Sequence, residues 1–194
     1  MYKVVGRTKS RAIRVTWTLE EIGVAYEQVH AAPGSREAKL YHPLGIIPVM
    51  MEGETMLTDS VAIMTFLADR HGKLTHPSGT IARAKQDAMM LWLLEEMDTV
   101  LRMAKKQSFI PEQVRREPAY REALKGRFAW AADVLSDNLD GDFLMGDEFT
   151  LPDILAGHCL SWAIGEKFYR PEGKLLCYLK SLRDRPAFRA ANAR

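Results

Sequence analysis

The stretch Leu44-Gly-Ile-Ile-Pro48-Val-Met-Met-Glu52-Gly-Glu-Thr55-Met-Leu-Thr58-Asp-Ser60-Val-Ala-Ile63-Met-Thr-Phe66-Leu-Ala-Asp-Arg-His-Gly72 decides how this chain folds. Two short apolar runs, Ile46–Met51 and Thr55–Thr58, flank Glu52-Gly53-Glu54, the pattern of a β-hairpin turning at Gly53. Pro48 falls inside the first run, where it cannot donate to a ladder. It marks either a sheet edge or a backbone shaped for a site. Directly after the second run, Thr58-Asp59-Ser60 opens a helical pattern that sets Ile63, Phe66 and Leu67 on one apolar face. A carboxylate and a hydroxyl therefore stand at a helix N-terminus beside a proline-bearing strand end. Helix N-termini bind anions.

Upstream, residues 1–30 read as strand, helix, strand. Tyr2–Val5 is short and β-rich, and Arg11–Ile22 puts Ala12, Val15, Leu19 and Ile22 on one helical face with Gly23 as its cap. Val24–His30 returns as a strand, so the first pair of strands is expected to be parallel. With the hairpin and helix that follow, this is a βαβ–ββα layout, the thioredoxin-like arrangement. Downstream, residues 72–80 are polar and punctuated by proline and glycine, after which the period is helical almost throughout. One long helix is expected from Ile81 to about Met103. A second is marked by Tyr120, Leu124, Phe128, Ala131, Leu135 and Leu139, ending at Asp140-Gly141. A third opens at Thr150, with Asp153 as reciprocal cap, Pro152 in the first turn, and Phe149 and Ile154 at the staple positions. The expected organisation is an α/β thioredoxin-like domain at 1–75, a linker at 76–80 and an all-α domain at 81–194.

A chain of 194 residues with 47% hydrophobic content can bury a real core. Its 27 basic and 25 acidic residues are mixed along the sequence, and the densest basic pairs, Lys105-Lys106 and Arg115-Arg116, make no coherent face for nucleic acid. Cys159 and Cys177 lie in helical segments and read as two buried thiols rather than a disulfide. No basic start followed by an apolar run suggests a signal peptide, and no stretch reaches the length of a membrane span. A cytoplasmic protein is expected. The five histidines show no paired helical or Cys/His spacing, so no metal site is expected. Met89, Met90, Met97 and Met103 read as core and interface filler, and Trp92, Trp130 and Trp162 as core anchors.

Taken in order, Gly6, Ser10-Arg-Ala-Ile-Arg-Val, Trp17-Thr-Leu-Glu-Glu-Ile-Gly-Val-Ala-Tyr-Glu, His42-Pro-Leu-Gly-Ile-Ile-Pro-Val, Asp59-Ser-Val-Ala-Ile, Phe149–Ile154 and Leu182-Arg-Asp-Arg-Pro-Ala-Phe resemble the glutathione transferases. The resemblance covers nearly the whole chain. It implies an enzyme that uses the thiolate of bound glutathione, a co-substrate rather than a resident cofactor, to attack a hydrophobic electrophile. It also implies a homodimer. Glutathione-dependent isomerisation, dehalogenation or peroxide reduction would use the same thiolate, and a non-catalytic binding protein is the reading from a different class.

The resemblance assigns residues as well. Ile47 would offer its backbone to the cysteinyl part of glutathione, with Pro48 cis beside it. Ser60 and its N–H would take the γ-glutamyl carboxylate, and Asp59 would lie near the amino group. Lys39 and Arg36 could meet the glycyl carboxylate or simply be solvated. A thiol of pKa about 8.5 is only about 3% ionised at pH 7, and lowering that pKa by two units takes about 2.7 kcal/mol. One hydrogen bond to a charged group supplies about 1.5–3 kcal/mol, so a hydroxyl donor suffices. Ser10 is the matching position and Thr8 the alternative, while Ser10 could equally cap the first helix, and the two roles can share one residue. Tyr2 is a weaker candidate donor. Four positions depart from the family pattern. Arg7 brings a bulky cation, Ile46 removes a polar contact, Asp59 is one methylene short of the usual Glu, and His42 replaces Asn before Pro43.

Overall fold

The computed structural model describes residues 1–106 and 118–194, so the Arg115-Arg116 pair lies outside the described residues. Two compact units form, one from residues 1–80 together with 182–194 and the other from residues 81–181.

In the first unit, β1 (Tyr2–Val5), β2 (Tyr26–Val29), β3 (Val49–Glu52) and β4 (Thr55–Thr58) make one sheet in the order β2-β1-β3-β4. The β1–β2 pair is parallel, bridged by helix α1 (Ala12–Ile22), and the other two pairs are antiparallel. Gly23 ends α1 in the left-handed region at φ 82°, its N–H returning to the Leu19 carbonyl. A short helix α2 (Arg36–Lys39) precedes the hairpin, and α3 (Ser60–His71) follows it. Val4, Val15, Leu19, Ile22, Met50, Ile63 and Leu67 form one core between the sheet and the α1–α3 layer. The first hairpin strand begins at Val49 rather than Ile46, because Pro48 has no N–H to give the ladder. β2 likewise spans only the four residues that β1 can pair.

In the second unit, α4 (Ile81–Leu93) runs through a π-helical stretch, Leu94–Asp98, into α5 (Thr99–Lys106). The single long helix expected from periodicity is therefore one helical run with a change of register inside it. Helices α6 (Pro118–Asp137) and α7 (Leu151–Gly165) follow, then α8 (Gly173–Asp184), whose residues from Leu182 onward belong, with α9 (Pro186–Ala193), to the first unit. Thr150 and Asp153 form the expected capping box at the start of α7, with a proline in its first turn. Three expectations about side chains need correction. Cys177 is exposed, because Leu175, Tyr178 and Leu179 take the inner face of α8, whereas Cys159 is buried. Trp130 is 45% exposed with the Arg127 guanidinium over its ring, and the fully buried tryptophan is Trp17. Trp92, expected as a core anchor, is only half-buried and lines a surface hollow with Met89, Val134 and Leu135; of the other methionines, Met90 and Met97 are core and Met103 is exposed.

The domain boundary expected at 81–194 also changes, since residues 182–194 return to the first unit. The Phe188 ring meets Trp17 edge-on at 4.8 Å, and Arg185 grips both oxygens of Glu21 at 2.6 and 2.8 Å. Arg194 bonds Glu20 at 3.0 Å and covers the Tyr26 ring. Helical periodicity specifies a face to bury but not the element that buries it. That is why α1 is buried from Ala12 to Leu19 on every side: sheet, α3 and α9 enclose it. Among the described residues, no helix is long and apolar enough to cross a membrane.

Candidate functional site

Sheet register gathers the expected site residues at one end of the first unit. Val5, the last residue of β1, pairs with Val49, the first of β3, and Val49 pairs with Thr58, the last of β4. The Gly6–Ser10 loop, the Ile47–Pro48 dipeptide and the Asp59–Ser60 helix start therefore leave the sheet side by side. Gly6 is the closest point among them. It has φ 147°, and a Cβ there would stand 2.7 Å from the Ala12 Cβ and 3.5 Å from the Ile47 Cβ. Only glycine lets the loop, the start of α1 and Ile47 come this near.

The peptide bond between Ile47 and Pro48 is cis. Pro48 is buried and Ile47 half-buried, and among the described residues no hydrogen bond engages the Ile47 N–H or C=O. A strand end with a free donor and acceptor offers an extended ligand the same pairing that a neighbouring strand would.

Asp59 sits at φ 65° and ψ 124°, outside the left-handed helical region, and its Oδ1 accepts the N–H groups of Val61 at 2.9 Å and Ala62 at 3.1 Å. Its Oδ2 takes neither bond. With two N–H groups satisfied by Asp59, the Ser60 N–H is left at the first position of α3 without an acceptor among the described residues. Ser60 is 3% exposed, and its Oγ accepts from the Arg14 guanidinium at 3.2 Å.

The two candidate hydroxyls are already engaged. Ser10 Oγ donates to the Arg7 carbonyl at 2.6 Å and accepts the Ala12 N–H at 3.1 Å. Thr8 Oγ1 donates to the Arg194 carbonyl at 2.6 Å and accepts from Gln28 at 3.5 Å. Tyr2 lies at the far end of β1, paired with Tyr26 and Glu52 and bonded to His71, so it is not brought to this end. Arg7, Arg36 and Lys39 are exposed and pair with no carboxylate among the described residues. Ala38 of α2 belongs to the same small apolar cluster that Ile47 packs against, which sets α2 beside the site without bringing Lys39 or Arg36 onto the other named residues.

Two groupings escaped the sequence. Arg14 lies inside the segment Ala12–Leu19, which is small or apolar but for this one charge. An arginine in such a run is the only signal available, and reading it would have required knowing that α9 covers the outer face. In the second unit the ligand atoms of Asp98, His158 and Cys159 lie within 4.8 Å of one another. Their spacing in sequence carries no sign of this, since Asp98 comes from a helix that passes α7. Each of the three also has other partners.

Residues 8–77 match the family model "Glutathione S-transferase, N-terminal domain". The fold is shared with a glutathione transferase from Methylococcus capsulatus str. Bath, which is 22% identical, with 100% of this chain and 98% of that one covered at a TM-score of 0.86. A theta class glutathione S-transferase from Xanthomonas axonopodis pv. citri with glutathione bound is 24% identical, with 100% and 97% covered and a TM-score of 0.78. A family member from Pseudomonas fluorescens Pf-5 with two glutathione bound is 19% identical, with 98% and 92% covered and a TM-score of 0.83. A thioredoxin-like sheet followed by a helical region defines the class. The chain has the glutathione transferase fold along its length, and its residues 8–77 match the N-terminal domain of that family.

Proposed function

We propose that this protein binds glutathione across the sheet end and raises the acidity of its thiol for attack on a hydrophobic electrophile. The observation that carries the reading is the meeting of an unpaired Ile47 backbone and an unpaired Ser60 N–H at one end of one sheet. The cysteinyl part of the tripeptide would pair with Ile47 as a short strand, the γ-glutamyl carboxylate would sit at Ser60, and Asp59 Oδ2 would face the amino group. The similar proteins from Pseudomonas fluorescens Pf-5 and Xanthomonas axonopodis pv. citri hold bound glutathione, which supports the same ligand here. A second copy of the chain is the partner this reading carries with it.

Ser10 acts in this proposal by exchanging acceptors. Its bond to the Arg7 carbonyl is neutral and contributes about 0.5–1.5 kcal/mol, whereas a bond to a thiolate contributes about 1.5–3 kcal/mol. The thiolate therefore wins the proton once it is within reach, and the Ala12 N–H stays bonded to the same oxygen. Ser10→Ala is expected to raise the pKa of bound glutathione by about one unit and to lower the rate with an aryl halide near pH 7 about tenfold. Loss of the Ala12 contact lowers stability by about 1 kcal/mol besides.

The engaged state of both hydroxyls favours a second reading, a glutathione-binding protein that does not activate the thiol. Retention on immobilised glutathione, thiolate absorbance and turnover of an aryl halide panel separate the two. Retention without a lowered thiol pKa supports the second reading. No retention, together with no binding of free glutathione in solution, removes both.

A further inference from the structure

The second unit carries a group of chemistry-bearing side chains that the glutathione reading does not use. Asp98, His158 and Cys159 bring a carboxylate oxygen, an imidazole nitrogen and a thiol sulfur to within 4.8 Å of one another. Asp98 is 6% exposed and Cys159 is fully buried. Packing does not call for these residue types, since Met97, Leu101, Leu155 and Leu160 already supply apolar core from the same helices. Asp98 ends the π-helical stretch Leu94–Asp98. The wider turn of a π-helix lets two consecutive residues, Met97 and Asp98, both face inward, and such insertions recur at functional sites. On α7, His158 and Cys159 are neighbours that project about 100° apart, so they meet the carboxylate from two sides.

We infer that Asp98, His158 and Cys159 form a binding site for a divalent transition-metal ion of the zinc class, tying the α4–α5 run to α7. Zinc bonds to oxygen, nitrogen and sulfur are about 2.0–2.3 Å long, which puts the ligand atoms of a tetrahedral site about 3.3–3.8 Å apart. Atoms already within 4.8 Å of one another reach that spacing by shifts of about 1 Å, within the range of side-chain rotation. The donor set chooses the ion: thiolate and imidazole suit zinc, whereas magnesium and calcium take oxygen ligands. Charge fits as well. One carboxylate, one thiolate and a neutral imidazole cancel the two positive charges, so the loaded site adds no net charge to the core. Each of the three side chains is already engaged in the protein alone, so the ion enters by exchange of partners. Loading forms a metal–sulfur bond, and the thiol proton leaves to the buffer. Three protein ligands leave the fourth position to a water molecule. The inference uses residues of the second unit only and does not depend on glutathione binding.

The test is titration of the full chain, reduced and stripped with a chelator, with cobalt(II), followed by absorbance and then by displacement with zinc. One cobalt per chain is expected, with a thiolate-to-cobalt charge-transfer band in the near ultraviolet and the intense visible bands of a tetrahedral site. Zinc should erase both. Cys159→Ser should abolish the charge-transfer band. Asp98→Asn, nearly the same shape, should keep the band but weaken cobalt binding by at least about tenfold, which preserves the comparison if the serine variant folds poorly. Cys177→Ser is the control, because that thiol is exposed and outside the trio, and its loss should change nothing. Zinc should also raise the melting temperature of wild type more than that of Asp98→Asn. Absence of the charge-transfer band in wild type would overturn the inference. So would a band that survives Cys159→Ser, or one that vanishes in Cys177→Ser and so belongs to adventitious binding at a surface thiol. Equal cobalt affinity in wild type and Asp98→Asn would take the carboxylate out of the site and overturn it too.

Discussion

Asp153→Asn is expected to cost the protein about 2–5 kcal/mol, a large part of the roughly 5–15 kcal/mol that holds a folded domain together. Asp153 is fully buried. Its Oδ1 accepts the Leu144 N–H at 2.9 Å and the Tyr178 hydroxyl at 2.7 Å, and its Oδ2 accepts the Thr150 N–H at 2.8 Å and the Thr150 hydroxyl at 3.3 Å. An amide of the same shape keeps one acceptor oxygen and turns the other into a donor. Whichever way it flips, one backbone N–H, of Leu144 or Thr150, then faces a donor with no water to turn to, and the hydroxyl beside it must turn to accept. The variant should melt roughly 5–15 °C lower, and Tyr178→Phe, which removes only one donor, should lose far less. A melting point within 2 °C of wild type would mean that the capping network is not what holds the start of α7.

The same carboxyl predicts a pH slope. Burial pushes the Asp153 carboxyl above the usual carboxylate range, with its four bonds pulling the other way. Burial and the neighbouring Asp153 charge push the Tyr178 hydroxyl up as well. With a folded pKa above the unfolded one, the folded state holds this proton more tightly. The residue's contribution to stability then falls as pH rises from about 4 through the folded value. Asn has no such proton, so the wild-type minus variant difference should shrink over that interval.

Much of the first unit was readable because its signals are local. The β-turn at Gly53, the helix stop at Gly23 and the β-rich composition of Tyr2–Val5 each follow from a few adjacent residues. The capping box at Thr150 was readable for the same reason. The return of α9 to α1 was not, since Phe188 and Trp17 look like ordinary aromatic anchors until the chain is seen to bring them together. The site divides in the same way. Asp59, Ser60 and Pro48 announce themselves by residue type at a helix start and a strand end. The occupation of the Ser10 and Thr8 hydroxyls by carbonyls, and the burial of Arg14 behind Ser60, depend on where backbone from distant segments passes. A sequence lists donors but not which acceptors reach them first.

Gly6→Ala is expected to disable the sheet end, because nothing around it can yield. The Gly6 N–H is bonded to the Val29 carbonyl at 2.9 Å, and its own carbonyl accepts from Gln28 at 3.2 Å, so the residue is held on both sides. At φ 147° a side chain is strained by about 1–3 kcal/mol whatever the space. The space is absent too. The new methyl would lie 2.7 Å from the Ala12 Cβ, an atom fixed to the helix and unable to rotate away, and such overpacking costs about 1–3 kcal/mol more. Relief can come only by moving the start of α1, which is bonded to Ser10 through Ala12 and carries the Arg14–Ser60 bond, or by moving the loop toward Ile47. Either movement separates groups that must meet one ligand at once, so the rate per folded molecule with an aryl halide should fall about a hundredfold. Ala12→Gly added to Gly6→Ala removes the overlap but not the backbone strain. The pair should therefore recover rate and glutathione affinity more fully than it recovers melting temperature. If Gly6→Ala alone reacts and melts like wild type, the close approach of loop, helix and Ile47 does not shape the site. If the pair recovers stability but no rate, the geometry that matters lies in the backbone of Gly6 itself rather than in its contact with Ala12.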